Sequence, residues 1–557
     1  MTESYKEQLV NSATRRGMNR RTSLKVGAGV AAAAIAGPRI TFAQDATPAS
    51  SPVATGDVVA SGIEGVPDVY LKFPEPQVTY EGVPGKGGTV RAFTISYNPP
   101  PTPRDDNQYW QELERRLGVT WEIDITPQPN YGEKSAVYLA GGEIPDLFYI
   151  NPGQNASAQY QAMAQGAFLD LTPYITGEAL QQFQNLKNFP QYMWDNLKFQ
   201  GKTFGIPRPA GRAAGQPFYR TDWAETVGID PSDPEQLMQM LAAFSSGDPD
   251  GDGSANTWGQ GRFNSGWWVF DNRITQQATK SPNNWRLNDD GSLTYVIETD
   301  EYRQALDMQI RMFQDGAYHP DAASMTFSDS QNAFIAGDTG LHYEGTTSFF
   351  GTNNVGYRQQ QANPDARITN VPIIAVDGGP GVTHNGTGTF GMVGIPASLG
   401  GDEERVLELL HILDYLAAPF GSEENLFLGS GIEGVHFEYN EAGAPVVNDK
   451  QREERGDLVY LMSGTEVLFY PDEPEVGLQV QDVLKQSVSV GIEDPTLVLY
   501  SQTNIDQGPI LNQLGMDLIT PIVTGRGSID DLQAAIDQWK SQGGDQIRNE
   551  FQEALQG

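Results

Sequence analysis

Gly88-Thr-Val-Arg-Ala-Phe-Thr-Ile-Ser96 is a β-branched and aromatic run of strand type, and together with the next fifty residues it decides the fold. A Pro-rich loop over Asn98–Pro103 leads into an amphipathic segment from Asn107 to Leu117. Thr120-Trp-Glu-Ile-Asp-Ile125 then alternates as a second strand, Tyr131–Ala140 reads as a second helix, and Asp146-Leu-Phe-Tyr-Ile150 as a third strand. Strand–helix units of this length build a parallel sheet covered by helices, whose ligands sit beyond the carboxyl ends of the strands. Further helices are expected at Pro234–Phe244, Asp300–Gln314, Glu403–Leu416, Leu478–Gln486 and Ile529–Lys540, interleaved with strand-like runs at Ile368–Val376 and Gly391–Ile395. No fixed-period repeat is visible. Helices spread over the whole chain, with strands returning late, imply an α/β protein of two lobes built from discontinuous segments.

Length agrees, since 557 residues exceed what one hydrophobic core organises. At the N-terminus, Arg15, Arg16, Arg20 and Arg21 precede a small-residue apolar run from Val26 to Ala36 and then Thr41-Phe42-Ala43, the pattern of an export signal over residues 1–43. Within it, Asn19-Arg20-Arg21-Thr-Ser-Leu-Lys25 resembles the twin-arginine signal. The apolar run is too short for a membrane span, which needs about 20 residues. Residues 44–84, rich in Ala, Ser, Pro, Gly and acid, are expected to form a flexible leader. Cysteine is absent, which removes disulfides, zinc–thiolate sites, a cysteine nucleophile and a lipidated N-terminal Cys. The formal charge of −35 makes nucleic acid and anionic membranes poor partners. It points to a neutral or cationic ligand unless a local basic pocket overrides the field.

Four motifs carry a family resemblance. Gly141-Gly-Glu-Ile-Pro145-Asp146-Leu-Phe-Tyr149 comes after the second helix. Gly205-Ile-Pro207 precedes Tyr219-Arg220-Thr-Asp222-Trp223, and later come Gly431-Ile-Glu433-Gly434-Val-His436 and the C-terminal Ile529-Asp-Asp-Leu with Trp539, Gly544 and Phe551. In this order, over roughly residues 88 to 555, they resemble the extracellular solute-binding proteins of ABC importers, in particular the oligosaccharide-binding branch that includes alginate-binding proteins. The resemblance implies a type II periplasmic-binding-protein fold: two α/β lobes closing on a ligand in the cleft between them. It also implies a carbohydrate ligand, permease subunits as partners, and no catalysis. Expected boundaries are 85–212 plus 345–415 for the N-lobe and 213–344 plus 416–557 for the C-lobe. A monomer held in the periplasm or cell-wall space is expected.

Asp248-Pro-Asp250-Gly-Asp252-Gly253-Ser254-Ala-Asn256-Thr257 sets three carboxylates at alternate positions on a tight curve, with a backbone carbonyl at Ser254 and an amide at Asn256. That donor set suits Ca²⁺, which takes many oxygens, and the expected ligands are Asp248, Asp250, Asp252, Ser254, Asn256 and Thr257. The bidentate Glu of an EF-hand loop is missing; its place is Gly259. Sugars stack their C–H faces on rings and bond their hydroxyls to polar side chains. Aromatic candidates are Tyr97, Trp223, Trp267, Trp268, Trp285, Tyr343 and Phe349, each with core packing as the competing role. Polar candidates, taken mainly from strand ends, are Asn98, Asp146, Asn151, Arg220, Glu344 and Glu433; for Arg220 an ion pair with Asp222 is the alternative. The five histidines show no metal-binding spacing and Gly-x-Ser-x-Gly is absent. A secreted glycoside hydrolase or polysaccharide lyase, or a binding protein for another polar solute such as a peptide, stays open.

Overall fold

The computed structural model describes residues 56–556 apart from 152–155, 214, 263–272, 351–353 and 472. The export signal, residues 44–55 of the expected leader, and Trp267 and Trp268 lie outside the described residues. Two mixed sheets organise the fold. Their strands are β1 (Thr89–Ser96), β2 (Thr120–Pro127), β3 (Leu147–Ile150), β4 (Ile206–Pro209), β5 (Gln216–Arg220), β6 (Trp258–Gln260), β7 (Thr339–Glu344), β8 (Ile368–Asn370) and β9 (Thr389–Gly394). The first sheet runs in the order β2-β1-β3-β9-β4 and the second β8-β5-β7-β6.

In the first sheet β1 pairs in parallel with β2 and β3, and its residues from Ala92 onward are buried, as a central strand covered on both faces requires. The Gln108–Leu117 helix starts on Asn107, whose side chain accepts from Trp110 N, and stops at Gly118 in the left-handed region. Its buried residues Tyr109, Leu113 and Leu117 recur every fourth position and face the sheet. Strand β9 runs antiparallel between β3 and β4, with Val393 opposite both Tyr149 and Ile206. Its register shifts after Thr389, and Gly391 takes φ 88° there, where a Cβ would meet the Ile150 carbonyl oxygen at 2.3 Å.

Two hydrophobic cores result. The first runs from Tyr80 to Ile206, takes in Met392 to Met462, and receives Ile505; the second holds Tyr219 to Val371 and Leu511 to Phe551. This division departs from the expected boundaries, because Phe427, Leu458, Leu461 and Met462 pack in the first core and Val371 in the second. The Gln502–Val523 helix spans the division: Ile505 belongs to one core and Leu511 to the other, with Gly508 and Pro509 between. Those two residues, both poor in helix interiors, hid this helix from periodicity.

Residues 57–84 are also more ordered than a flexible leader. Val58–Val59 pairs with Val69–Tyr70, which pairs in parallel with Leu468–Phe469. Tyr70, Phe73, Phe420 and Phe469 form one ring cluster, with centroids 4.9 to 5.7 Å apart. Two-residue strands are too short for periodicity to register.

Three of the aromatic candidates are core residues. Trp223 is 1% exposed and packs edge-on to Phe244, while Trp285 is 5% exposed among Tyr295, Trp539 and Phe551. Phe349, 1% exposed, stacks on Phe218. Trp285→Ala is therefore expected to cost about 3–5 kcal/mol of folding stability in urea titrations, with ligand affinity of the folded fraction unchanged.

Candidate functional site

The carboxyl ends of the parallel strands in the first sheet carry a shelf of rings. Tyr97, directly after β1, is 52% exposed; its ring lies 5.8 Å from Tyr460 and 6.3 Å from Phe390, itself 39% exposed just ahead of the β9 bulge. Arg208 on β4 closes the cluster, with its guanidinium carbon 4.2 Å from the Tyr460 ring centre and 5.7 Å from that of Phe390. Its Nε donates to the Tyr460 carbonyl at 2.7 Å. Tyr149 beneath donates its hydroxyl to the Phe390 carbonyl, and the buried Asn151 side chain at the end of β3 hydrogen-bonds the Tyr97 hydroxyl.

Asp457 fixes the edge of this shelf. Its buried carboxylate accepts from Ser96 Oγ (2.7 Å), Tyr97 N (3.2 Å), Asn98 N (3.3 Å) and Asn98 Nδ2 (2.9 Å). Four donors on one carboxylate hold the turn after β1 rigid and leave the ion little capacity for other work. A cavity of about 650 Å³ opens beyond Asn98, walled by Pro99, Pro100, Pro101 and Pro103 and by Gln451, Arg452, Glu453, Arg455 and Gly456. The half-buried Glu466 faces Arg208 and Thr347; burial pushes its carboxyl up, against the pull of the Thr347 hydroxyl and the Arg208 charge.

A matching edge exists on the second sheet. Tyr343 and Glu344 end β7, with Arg273 positioned 5.6 Å from the Tyr343 ring centre. Glu344 accepts from Gln331 Nε2 (2.9 Å) and Gly345 N (3.1 Å). Arg262, just past β6, lies 5.1 Å from the ring centre of Phe327, which is 37% exposed.

The structure thus brings Tyr97, Asn98 and Asn151 together at one edge and Tyr343 with Glu344 at the other. Asp146 does not join them. It precedes β3, and the parallel register puts it at the amino end of the sheet, where it accepts from Arg91 N (3.0 Å) and pairs with Arg405 (2.9 Å). Arg220 is also elsewhere: β5 runs antiparallel to β7, so Arg220 ends up at the opposite end from Glu344, in a two-pronged pair with Asp222 (2.8 and 2.5 Å). Glu433 occupies an exposed turn around the buried His436, whose Nε2 lies 3.0 Å from Glu454. Arg208, Phe390, Tyr460, Asp457 and Arg273 were not anticipated. Phe390 could have been found as the aromatic residue just ahead of the expected strand Gly391–Ile395, and Arg208 as the cation directly after Gly205-Ile-Pro207.

Among the described residues, Asp248, Asp250 and Asp252 each offer a carboxylate oxygen, all within 4.8 Å of one another. Positive φ at Asp248 (46°), Gly251 (72°) and Gly253 (81°) curls the loop. Burial raises the Asp250 carboxyl, and its like-charged neighbours add to the rise. Thr257 departs from the expected ligand set: it is buried and donates its hydroxyl to the Phe244 carbonyl at 2.8 Å, tying the loop to the Pro234–Ser246 helix.

No protein-family model matches the sequence. The chain is 24% identical over 479 residues to "Lipoprotein LipO" of Bacillus subtilis (strain 168), covering 82% of this chain and 90% of that protein. It is 21% identical over 493 residues to "Polygalacturonan/rhamnogalacturonan-binding protein YtcQ" of the same organism, covering 86% and 94%. Among solved structures it matches an ABC-transporter-associated solute-binding protein from Bifidobacterium longum infantis, described as HMO-binding, with TM-score 0.62 and 16% identity, over 84% of this chain and 98% of that one. It also matches alginate-binding protein AlgQ2 without calcium ion, with TM-score 0.60 and 14% identity, over 87% and 100%. These likenesses show the fold, two α/β lobes of the kind seen in solute-binding proteins, and the proteins this chain resembles include sugar- and oligosaccharide-binding components of ABC transporters.

His384 gives the second edge a pH signature. It is buried, its Nε2 lies 2.9 Å from the Ser281 carbonyl, and burial followed by the Arg273 charge lowers its pKa from 6.5 to about 4. The unfolded chain therefore binds the proton first as pH falls. The stability tied to neutral His384, up to about 3 kcal/mol, is complete above pH 6.5 and lost towards pH 4. Denaturation midpoints measured across that window should fall less steeply in His384→Gln than in the wild type.

Proposed function

We propose that this protein is the extracytoplasmic substrate-binding component of an ABC importer, capturing an oligosaccharide between its lobes and delivering it unaltered to the permease. The shelf of Tyr97, Tyr460 and Phe390, stiffened by Asp457, carries the reading: rigid, half-exposed rings with amides alongside are what a sugar's C–H faces and hydroxyls require. YtcQ is named for binding polygalacturonan and rhamnogalacturonan, and the Bifidobacterium structure for binding HMO, which supports the same ligand class. Binding without turnover agrees with the carboxylate nearest the shelf, since an acid already accepting four hydrogen bonds is ill placed for proton transfer. A ligand touching both edges stabilises the closed arrangement by its differential contacts, and closure presents a composite surface to the permease. The protein is taken to act outside the cytoplasm as a monomer. No helix among the described residues is long and apolar enough to cross a membrane. LipO is named a lipoprotein, but these 557 residues contain no cysteine for a lipid to modify.

We also propose that Asp248, Asp250 and Asp252, with the Ser254 carbonyl and the Asn256 side chain, hold a structural Ca²⁺. Three converging carboxylates on a curled loop fit a hard cation, and the charge would relieve their mutual repulsion.

Calorimetric titration with an oligosaccharide panel tests the first reading. Binding with the sugar recovered intact is expected, and Tyr97→Ala should weaken it about tenfold, the worth of one stacked ring; turnover of the sugar would overturn the reading. Adding a chelator should lower the melting temperature of the wild type and leave an Asp250→Asn, Asp252→Asn variant unmoved; an unchanged wild-type melting curve would remove the calcium assignment.

A further inference from the structure

The chain carries 71 Asp and Glu against 36 Lys and Arg, so an arginine without a carboxylate stands out. Most are paired: Arg104 with Glu114 at 2.7 Å, Arg367 with Glu225 at 2.5 Å, Arg405 with Asp146 at 2.9 Å. Arg208 and Arg273 form no ion pair among the described residues. Each stands at the carboxyl edge of a different sheet, and each lies against a ring of that edge, Arg208 over Tyr460 and Phe390 and Arg273 over Tyr343. Beyond the Nε bond to the Tyr460 carbonyl, the terminal nitrogens of Arg208 make no hydrogen bond among the described residues, and Arg273 makes none. Other arginines outside ion pairs are placed differently. Arg455 and Arg526 donate to backbone or hydroxyl oxygens, Arg91 sits at the amino end of the first sheet, and Arg358 on the Val355–Ala362 helix.

We infer that the ligand is an oligosaccharide bearing carboxylates, a uronate-type sugar, with Arg208 and Arg273 each receiving one carboxylate from opposite lobes. This rests on the oligosaccharide-binding reading and narrows it. The guanidinium fork matches a carboxylate in two-pronged geometry, and a ring beneath holds its plane while the sugar ring stacks alongside. Closing the cleft excludes water and strengthens both pairs. The acids nearby do not take this role: Asp457 is held by four donors, Glu344 by Gln331 and Gly345, and Glu466 lies beyond ion-pair distance from Arg208. A neutral sugar would leave two guanidinium groups losing water in the closed cleft without a counter-charge. The two arginines form the local basic pocket that overrides the acidic field of the whole chain.

Titration calorimetry on the full chain tests this with oligogalacturonates, oligomannuronates and oligoglucuronates of three to five units, each beside its carboxyl-reduced neutral counterpart. One acidic series is expected to bind, with its reduced counterpart weaker by about tenfold or more. Arg208→Gln and Arg273→Gln should each weaken the acidic ligand by a similar factor while leaving affinity for its carboxyl-reduced counterpart unchanged, and Arg208→Lys should recover part of the loss. Equal binding of acidic and reduced sugars, or arginine variants with unchanged affinity, would overturn the carboxylate assignment while leaving oligosaccharide binding intact. Failure of every acidic and neutral sugar to bind would overturn both.

Discussion

Strand β9 holds the first lobe together, and it arrives from the far side of the second. Thr389–Gly394 enters only after the chain has built β5 to β8, yet it lies in the middle of the first sheet, bonded to β3 on one side and β4 on the other. Without it β4 would have no strand beside it and the sheet would end at β3. Phe390, one residue before the Gly391 bulge, would then have no reason to stand beside Tyr97 and Arg208. The same pairing that completes a hydrophobic core therefore also assembles the ring shelf, with Tyr97, Arg208, Phe390 and Tyr460 drawn from four distant stretches of sequence.

The edges of the two sheets repeat one physical theme with different residues. A carboxylate near the strand end is engaged by local donors, four on Asp457 in one lobe and two on Glu344 in the other, and so stiffens the backbone beside it. A ring and an arginine stand beyond it. In a chain of formal charge −35, acid at both edges serves rigidity, and the arginines beside the rings carry the positive charge there.

Much of this architecture was legible from the chain, and the failures share a cause. The first strand–helix units were readable because hydrophobic period, an Asn cap and a terminal Gly all act locally over residues 89–150. The rule that ligands meet carboxyl ends of parallel strands pointed to Tyr97, Asn98, Asn151, Tyr343 and Glu344, and the structure places these residues at such strand ends. It misled for Asp146, which lies at the wrong end of a correctly read strand, and Arg220, where strand direction is set by pairing with β7. Trp223 and Trp285 look like sugar platforms by residue type, but tertiary neighbours decide their burial: Phe244 on the next helix for Trp223, and Trp539 and Phe551, hundreds of residues away, for Trp285. The lobe boundaries failed for the same reason: nothing local in Leu458 or Met462 tells which sheet will cover them.

The Gln502–Val523 helix contributes Ile505 to one core and Leu511 to the next, on either side of Gly508-Pro509. Ring contact between Tyr500 and Phe199 at 5.3 Å, and a bond from Gln161 to Asp506 at 2.9 Å, anchor its leading turn on the first lobe. During ribosomal synthesis neither interior can be sealed until this late segment has emerged. Half-molecules cut anywhere upstream would each retain an unfilled apolar gap, so the two bodies are partners in folding rather than separable modules.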